Sequence, residues 1–326
     1  MGPQTGDERT LFLALADGGR LPLFALALGL IASGSAALFL AATGHFLPHD
    51  EHFLGMTAEQ LCSYHGCRVV HFMIHDRAAF GGVVLVVGLL YVWLAEFPLR
   101  QGAAWAWWAV LLSGVVGFAS FLAYVVFGYL DAWHGAATLA LLPCYVLGLT
   151  YSWGTLDQPR GIRSLLVSGV WPPWGSRAGV GRLCLLVTSA GVLGAGATIL
   201  TLGSTAVFVP EDLTFMGVSV ADLRELNPRL VPLIAHDRAG FGGALLAAGV
   251  ALTACLWCAR PSRALWQILA LVGAAGFTPA IGVHMAIGYT DPFHLAPAVS
   301  GAALHVSGLA LTYRAMHPRR GGKSDE

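Results

Sequence analysis

Charged side chains are scarce in this chain. Asp, Glu, Lys and Arg make up 11% of its 326 residues, whereas 56% of the residues are hydrophobic and the mean hydropathy is +0.68. This balance lies well outside that of soluble globular domains. The chain also lacks a basic, aromatic-interleaved patch of the kind that binds nucleic acid. The composition therefore predicts an integral membrane protein, with the lipid bilayer as a partner and no nucleic-acid partner.

We also expect no cleavable signal sequence. The first twenty residues lack a compact apolar core that ends in small residues. They carry instead five charged side chains, which are Asp7, Glu8, Arg9, Asp17 and Arg20. We therefore expect the first apolar segment to remain in the protein as a membrane span.

Eight segments are apolar and long enough to cross the hydrocarbon core of a bilayer, which requires ~20 residues of helix. Sheet edges cannot be satisfied in lipid, so the spans should be helices. The segments are 21–43, 69–97, 105–130, 132–152, 183–205, 231–258, 264–289 and 292–313. The predicted fold class is all-α integral membrane, with eight transmembrane helices.

Basic residues mark one side of this arrangement. Thirteen of the eighteen Lys and Arg residues lie in the termini and in the loops that an even number of spans places on the same side. The loops 44–68 and 206–230 hold only Arg68, Arg224 and Arg229. Because basic residues concentrate on the cytoplasmic side, we expect a multi-pass protein of the cell (inner) membrane with both termini cytoplasmic.

The chain contains an internal repeat, in which three motifs return in the same order. They are FLGMTAEQL at 53–61 and FMGVSVADL at 215–223, FMIHDRAAFGG at 72–82 and LIAHDRAGFGG at 233–243, and GYLDAWH at 128–134 and GYTDPFH at 288–294. We predict two tandem four-helix bundles, formed by residues 1–152 and 183–326 and joined by a cytoplasmic linker at 153–182. Four spans per half give the halves the same orientation.

Each half places ionisable groups at one predicted depth. In the first half these are His75, Asp76, Arg77, Asp131 and His134, and in the second half His236, Asp237, Arg238, Asp291 and His294. Ionisable groups at membrane depth cost several kcal/mol unless they are paired. One interpretation is therefore structural, with ion pairs of Arg77 with Asp131 and of Arg238 with Asp291.

Two further interpretations make the histidines ligands. His75 and His134 would be the axial ligands of haem b in the first bundle, and His236 and His294 in the second, since imidazoles facing each other across a bundle commonly hold haem. Alternatively, His71, His75, Asp131 and His134 would hold Zn, Fe or Cu, which mixed imidazole and carboxylate sets suit. His284 and His305 are expected to be packing residues, although His284 lies near enough to the outer end to join the second site.

The two halves differ in their first outer loop. Six of the twelve histidines lie between residues 45 and 75, together with Cys62 and Cys67, whereas the second loop has no His or Cys. Four residues separate the two cysteines, unlike a Cys-x-x-Cys motif. On an oxidising face the pair should form a disulfide that tethers the loop, with redox activity or metal ligation as alternatives. Cys62, Cys67, His71 and Asp76 are the candidate catalytic residues.

This architecture resembles the haem A synthase family. The shared features are eight spans in two four-helix halves, cytoplasmic termini, outer-side histidines on helices 2, 4, 6 and 8, and a Cys pair in the first outer loop. The resemblance covers the whole chain and implies haem ligation by the outer-side histidines. Where that family has a Glu three residues before a His-Arg pair, this chain has Phe72, and Asp76 separates His75 from Arg77.

These features predict a polytopic membrane redox protein that binds haem or metal through outer-side histidines, with haem modification as one form of this activity. Its partners would be an electron donor or a small hydrophobic substrate. Two alternatives stay open. One is a metal-dependent membrane hydrolase with Asp76 or Asp131 as the base, and the other is a non-catalytic transporter or assembly factor with a structural polar layer.

Overall fold

A computed structural model describes residues 20–120, 129 and 132–317, and at residues 132 and 133 it describes the backbone only. Asp131, one of the predicted site residues, lies outside the described residues. Within these ranges the chain forms twelve α-helices and no strand. The all-α prediction is confirmed for this part of the chain.

The helices are numbered here in chain order. They are α1 (Arg20–Thr43), α2 (Pro48–Leu54), α3 (Ala58–Cys62), α4 (Arg68–Glu96), α5 (Ala104–Ser120), α6 (Ala132–Trp153), α7 (Arg177–Ser204), α8 (Pro210–Met216), α9 (Val220–Leu226), α10 (Leu230–Cys258), α11 (Arg263–Ile287) and α12 (Pro292–Met316).

Seven helices are long and apolar enough to cross a membrane, namely α1, α4, α6, α7, α10, α11 and α12. Helix α5 has 17 residues and ends at Ser120, next to residues outside the described range, so the eighth predicted span is not confirmed. Several large apolar side chains face outward, among them Leu139 and Phe293, which are 78% and 86% exposed. Such exposed apolar surface is what contact with lipid requires, and the fold is compatible with a multi-pass membrane protein.

Paired glycines bring the central helices close to their neighbours. A Cβ atom on Gly34 of α1 would lie 2.7 Å from the carbonyl oxygen of Gly81 on α4, so only small residues permit this contact. The next glycine, Gly82, approaches Pro279 on α11, and its repeat counterpart Gly243 approaches Ser120 on α5. The second glycine of each pair therefore contacts a helix of the other half.

The two halves share one helical core. Helices α4 and α10 pack against each other, α4 also packs against α11 of the second half, and α10 packs against α5 of the first half. Groups near the start of α4 therefore face helices of the second half. The predicted division into two four-helix bundles, one from each half, is not confirmed.

The loops that precede α4 and α10 fold into short helices, α2 with α3 and α8 with α9. A buried aspartate caps the first helix of each loop. In α2, Asp50 Oδ2 accepts the Leu47 backbone N–H at 3.2 Å, and in α8, Asp212 Oδ2 accepts that of Val209 at 2.9 Å. Such caps satisfy backbone donors that a helix start leaves unpaired. We call the end of the molecule that carries these four helices the loop end.

The first of these loops is tied to α4. Cys62 closes α3 and Cys67 directly precedes α4, and their sulfur atoms lie at disulfide-bonding distance. Gly66 between them has a φ of 63°, in the left-handed region that glycine adopts readily. The structure thus supports the predicted tether between the loop and the span.

Arg182 ties the linker between the halves to α10. Its side chain donates hydrogen bonds to the carbonyl oxygens of Leu256 and Trp257, at 3.1 and 2.8 Å. Its guanidinium group lies over the rings of Trp171, Trp174 and Trp257. Arg182 is buried and secures the end of α10 that is opposite to the loop end.

Candidate metal centre at the loop end

Two ion pairs, one buried and one partly buried, join the His-Asp-Arg motifs of the two halves. Arg77 Nε lies 2.9 Å from Asp237 Oδ2, and Arg238 Nε lies 3.1 Å from Asp76 Oδ2. Neighbouring residues on a helix point about 100° apart, so the Asp and Arg of one motif face different neighbours. Each arginine therefore binds the aspartate of the other motif.

Each arginine also binds a carboxylate of the loop helices. An Nη1 atom lies 2.7 Å from an Oδ2 atom in both the Arg77–Asp50 pair and the Arg238–Asp212 pair. These carboxylates are the helix-capping groups of α2 and α8. The short helices α2 and α8 are therefore fixed to these two arginines by charge as well as by packing.

These partners differ from the predicted ones. Asp291 is the N-cap of α12, where its Oδ1 accepts the backbone N–H of His294 at 2.8 Å. Arg238 instead binds Asp76 and Asp212, because α10 packs against α4 and the capping carboxylate of α8 reaches it. The Arg77–Asp131 pair stays untested, since Asp131 is not described.

Asp50 and Asp212 bind the two arginines, but the three repeated motifs found in the sequence do not include them. Their signal is present in the sequence, because FLPHD at 46–50 returns as FVPED at 208–212. Each repeat places the aspartate two residues after a proline that begins a short helix. The internal repeat therefore extends toward the N-terminus of each loop and includes both carboxylates.

Three histidines from three helices meet beside these ion pairs. They are His75 on α4, His284 on α11 and His294 on α12, and one ring nitrogen of each lies within 4.8 Å of those of the other two. The first two residues are only 4% and 5% exposed, and His294 is partly buried. We call this set the three-histidine group.

The hydrogen bonds of two of these rings leave an acceptor nitrogen on each. His284 Nδ1 lies 2.5 Å from the carbonyl oxygen of Ala280, which can only accept, so this nitrogen carries the proton. Its Nε2 is buried and has no hydrogen-bond partner among the described atoms. A backbone bond at Nδ1 that leaves Nε2 with a lone pair is the usual arrangement of a metal-binding histidine.

His294 has the same character through a tyrosine. The Tyr289 hydroxyl donates to Asp212 Oδ1 at 2.8 Å and lies 3.1 Å from His294 Nδ1. Since the hydroxyl has one proton and gives it to the carboxylate, it accepts the Nδ1 proton of His294. Burial and the adjacent Asp212 carboxylate raise the pKa of the Tyr289 phenol, which keeps this chain of donors intact.

The third ring, His75, faces a carboxylate with its Nδ1. This atom lies 3.2 Å from Asp76 Oδ1, within ion-pair distance but outside hydrogen-bond alignment. The nearby negative charge favours a proton on Nδ1, which leaves the lone pair on Nε2. One ring nitrogen of each histidine faces the other two within 4.8 Å, and acceptor nitrogens at this distance repel one another unless a cation or a proton lies between them.

The charge of the polar layer favours a cation. The layer contains two guanidinium groups, of Arg77 and Arg238, and four carboxylates, which belong to Asp50, Asp76, Asp212 and Asp237. These six residues carry two more negative charges than positive ones. Buried charge is costly when it is uncompensated, and a divalent ion in the three-histidine group would balance this excess.

A second pair of histidines lies across the layer. The rings of His134 on α6 and His236 on α10 have centroids 5.2 Å apart, and His236 Nδ1 donates to Asp237 Oδ1 at 3.0 Å. The residue four positions before the glycine of the repeated Gly-Tyr motif is His284 in the second half and Tyr124 in the first half. Tyr124 lies outside the described residues. The two-histidine group, His134 and His236, therefore has a tyrosine in the sequence where the other group has its third imidazole.

The structure corrects the predicted histidine pairs. We expected His75 with His134 and His236 with His294, each pair within one half, but His75 contacts His294 and His134 contacts His236. The physical reason is that α4 packs against α11 of the second half and α10 packs against α5 of the first half. His284 is part of the three-histidine group, whereas His305 bonds the Leu269 carbonyl oxygen at 2.8 Å, as a packing residue would.

The other candidate residues stay apart from the three-histidine group. His71 is partly buried one turn before His75, and the Cys62–Cys67 pair lies in the loop that precedes α4. The predicted metal set is therefore not assembled by the described residues, since His75 and His134 belong to different groups. Asp76, a predicted catalytic residue, contacts His75 but also holds Arg238.

No family model, curated protein or solved structure matches this chain. The resemblance to the haem A synthase family consequently stays a prediction. The geometry of the loop end is what supports a function.

Proposed function

We propose that this chain is a multi-pass membrane redox protein whose centre is a single first-row transition-metal ion bound by His75, His284 and His294. The observation that carries the proposal is the convergence of three imidazole nitrogens within 4.8 Å inside a layer of excess negative charge. Such a set matches the three-imidazole sites that bind a metal and leave one coordination position open.

A single ion suits this group better than haem. The ring centroids of the three histidines are 4.3 to 5.6 Å apart, and Tyr289 stacks on His294 at 4.4 Å. A porphyrin needs a flat space between its two axial imidazoles, and here a third imidazole and a phenol occupy that region. Imidazole ligands suit Cu, Fe and Zn, and of these Cu and Fe can carry an electron.

Redox chemistry suits the surroundings better than hydrolysis. The metal-dependent hydrolase predicted from the sequence would use an aspartate as the base that accepts a proton from metal-bound water. Two carboxylates beside the group, Asp76 and Asp212, both bind Arg238, and Asp212 also accepts the Tyr289 hydroxyl bond. An electron-transfer centre requires only the ligands and a fixed geometry around them.

The proposal includes the orientation predicted from the basic residues. With eight spans and cytoplasmic termini, the loop end faces the extracytoplasmic side of the cell membrane. The Cys62–Cys67 pair lies at this end, where an oxidising environment permits a disulfide. An electron donor would then reach the centre from that side or from within the bilayer.

Metal content tests the proposal directly. The protein would be purified in detergent, stripped of metal, and equilibrated separately with Cu, Fe and Zn salts before elemental analysis. We expect about one tightly bound ion per chain, and its loss in the His284→Ala variant. The matched control is His71→Ala, which removes a histidine from α4 one turn away from the group.

Two results would count against the proposal. Equal metal content in His284→Ala and in the unchanged protein would show that the ion binds elsewhere. A site that takes only Zn, with no change in optical or paramagnetic signal on reduction by dithionite, would rule out the redox form and favour the hydrolase.

A further inference from the structure

A cavity of about 470 Å³ opens between α1, α4, α5, α6 and α10. Its volume is in the range of pockets that hold small organic molecules. His134 and His236 line it, whereas none of its described lining residues belongs to the three-histidine group. The cavity is therefore a different site from the proposed metal centre.

The lining changes character along the cavity. Most of it is apolar and belongs to transmembrane helices, with Leu30, Leu40, Val84, Val87, Leu141 and Ala247 among the side chains. Polar groups gather at the loop end, where His134, His236, Asp237 and Arg77 contribute to the wall. A molecule that fits both parts must be amphipathic.

The cavity is elongated in the direction of the helices. Its lining on α4 runs from Ile74 to Tyr91, an advance of seventeen residues that corresponds to about 26 Å of helix. At the end away from the loops, the Tyr91 hydroxyl donates to Ser113 Oγ at 3.0 Å, and Ser113 donates to the Ala247 carbonyl oxygen at 2.9 Å. These polar groups satisfy one another, so the inner part presents an apolar surface to a bound molecule.

We propose that the cavity binds a neutral lipid-soluble molecule with one apolar tail and a head that forms hydrogen bonds through hydroxyl or carbonyl groups. The head would lie against His134 and His236, and the tail would run between α1, α4 and α6. Isoprenoid quinones and long-chain alcohols share this chemistry. The inference does not depend on metal in the three-histidine group.

Charge decides against anionic lipids. Asp50, Asp76 and Asp237 line the cavity together with one cationic residue, Arg77, which already binds two of these carboxylates. A phosphate or fatty-acid carboxylate would enter a region of excess negative charge with no free guanidinium among these residues. A neutral head that lies against the two imidazole rings avoids this repulsion.

Helix α6 offers a matched pair of variants. Thr138 lines the cavity, whereas the next residue, Leu139, points outward and is 78% exposed. Thr138→Trp should fill the cavity, while Leu139→Trp adds the same bulk on the lipid-facing side. If Thr138→Trp is not recovered folded, Ala36→Phe on α1 places bulk in the same cavity from another helix.

The experiment measures the thermal stability of the purified protein in detergent with decylubiquinone, oleyl alcohol or oleate. We expect decylubiquinone or oleyl alcohol to stabilise the unchanged protein and Leu139→Trp, and to bind at least about tenfold more weakly to Thr138→Trp. Stabilisation by only one of the two neutral ligands identifies the head group. His134→Ala should weaken binding without closing the cavity.

Three outcomes would overturn the inference. They are no stabilisation by either neutral ligand, equal stabilisation by oleate, and unchanged binding to Thr138→Trp. Metal content measured on the same samples keeps this test separate from the proposed metal centre, because Thr138→Trp should retain its ion.

Discussion

Arg77 and Asp237 are 160 residues apart in the chain, yet Arg77 Nε donates to Asp237 Oδ2 across 2.9 Å at the junction of the two halves. The reciprocal contact, between Arg238 and Asp76, completes a quasi-symmetric exchange. The two copies of the motif therefore form one polar layer. Each histidine group also takes residues from both halves, so neither half contains a complete site.

Removing one charge from this layer should destabilise the protein severely. Arg77→Met leaves Asp50 and Asp237 without their shared cation, and loss of one partner of a buried ion pair costs about 3–5 kcal/mol. The measurement is thermal or denaturant unfolding in detergent. Arg100→Met is the control, because Arg100 pairs with Glu96 at an exposed position, where the cost should stay below about 1 kcal/mol. Equal losses in the two variants would contradict the role of the layer.

Tyr289 should support metal affinity without being a ligand. Tyr289→Phe removes the acceptor that orients His294 Nδ1, and loss of such supporting contacts typically lowers metal affinity by about 10- to 100-fold. Tyr129→Phe is the matched control, since Tyr129 makes the equivalent bond to Asp50 beside the two-histidine group. Competition with a chelator gives both affinities. A similar drop in the two variants would show a general effect on folding.

Metal removal should lower stability only when the three-histidine group is intact. A ligand present at 100 times its dissociation constant stabilises the folded state by about 2.7 kcal/mol. A chelator should therefore lower the melting temperature of the unchanged protein and of His71→Ala, but leave that of His294→Ala in place. If the chelator lowers the melting temperature of His294→Ala as much, the ion lies at another site.

The disulfide and His71 should be dispensable for metal binding. The sequence pattern made Cys62, Cys67 and His71 candidate catalytic residues, but the described contacts keep them out of the three-histidine group. A Cys62→Ser, Cys67→Ser double variant should keep its metal and lose some loop stability, because the tether constrains the unfolded chain. If the double variant loses redox activity while its metal content is unchanged, the loop takes part in the reaction.

Topology can be checked by labelling single cysteines in a background without the others. A cysteine at His52, an exposed position of α2, should react with a membrane-impermeant reagent added from outside. Gly161→Cys, in the linker between the halves, should be protected until the membrane is opened. Labelling of Gly161→Cys from outside would reverse the proposed orientation.

The sequence by itself determined the class of fold and the identity of most polar residues. Hydrophobic segments long enough to cross a bilayer predict helices because lipid leaves backbone groups no other partners. The repeated His-Asp-Arg motif marked His75 and His236, and the position of Cys62 and Cys67 in a predicted outer loop predicted their tether. These inferences depend on local patterns, which a single sequence contains.

Only the tertiary structure decided which residues meet. Repetition suggested that each half would close on itself, but the packing of α4 against α11 and of α10 against α5 pairs His75 with His294 and His134 with His236. His284 became a candidate ligand for the same reason, although its sequence surroundings resemble those of any packed helical histidine. Contacts between helices depend on the crossing of whole elements, and a periodic pattern in one helix does not specify which neighbour its polar face will meet.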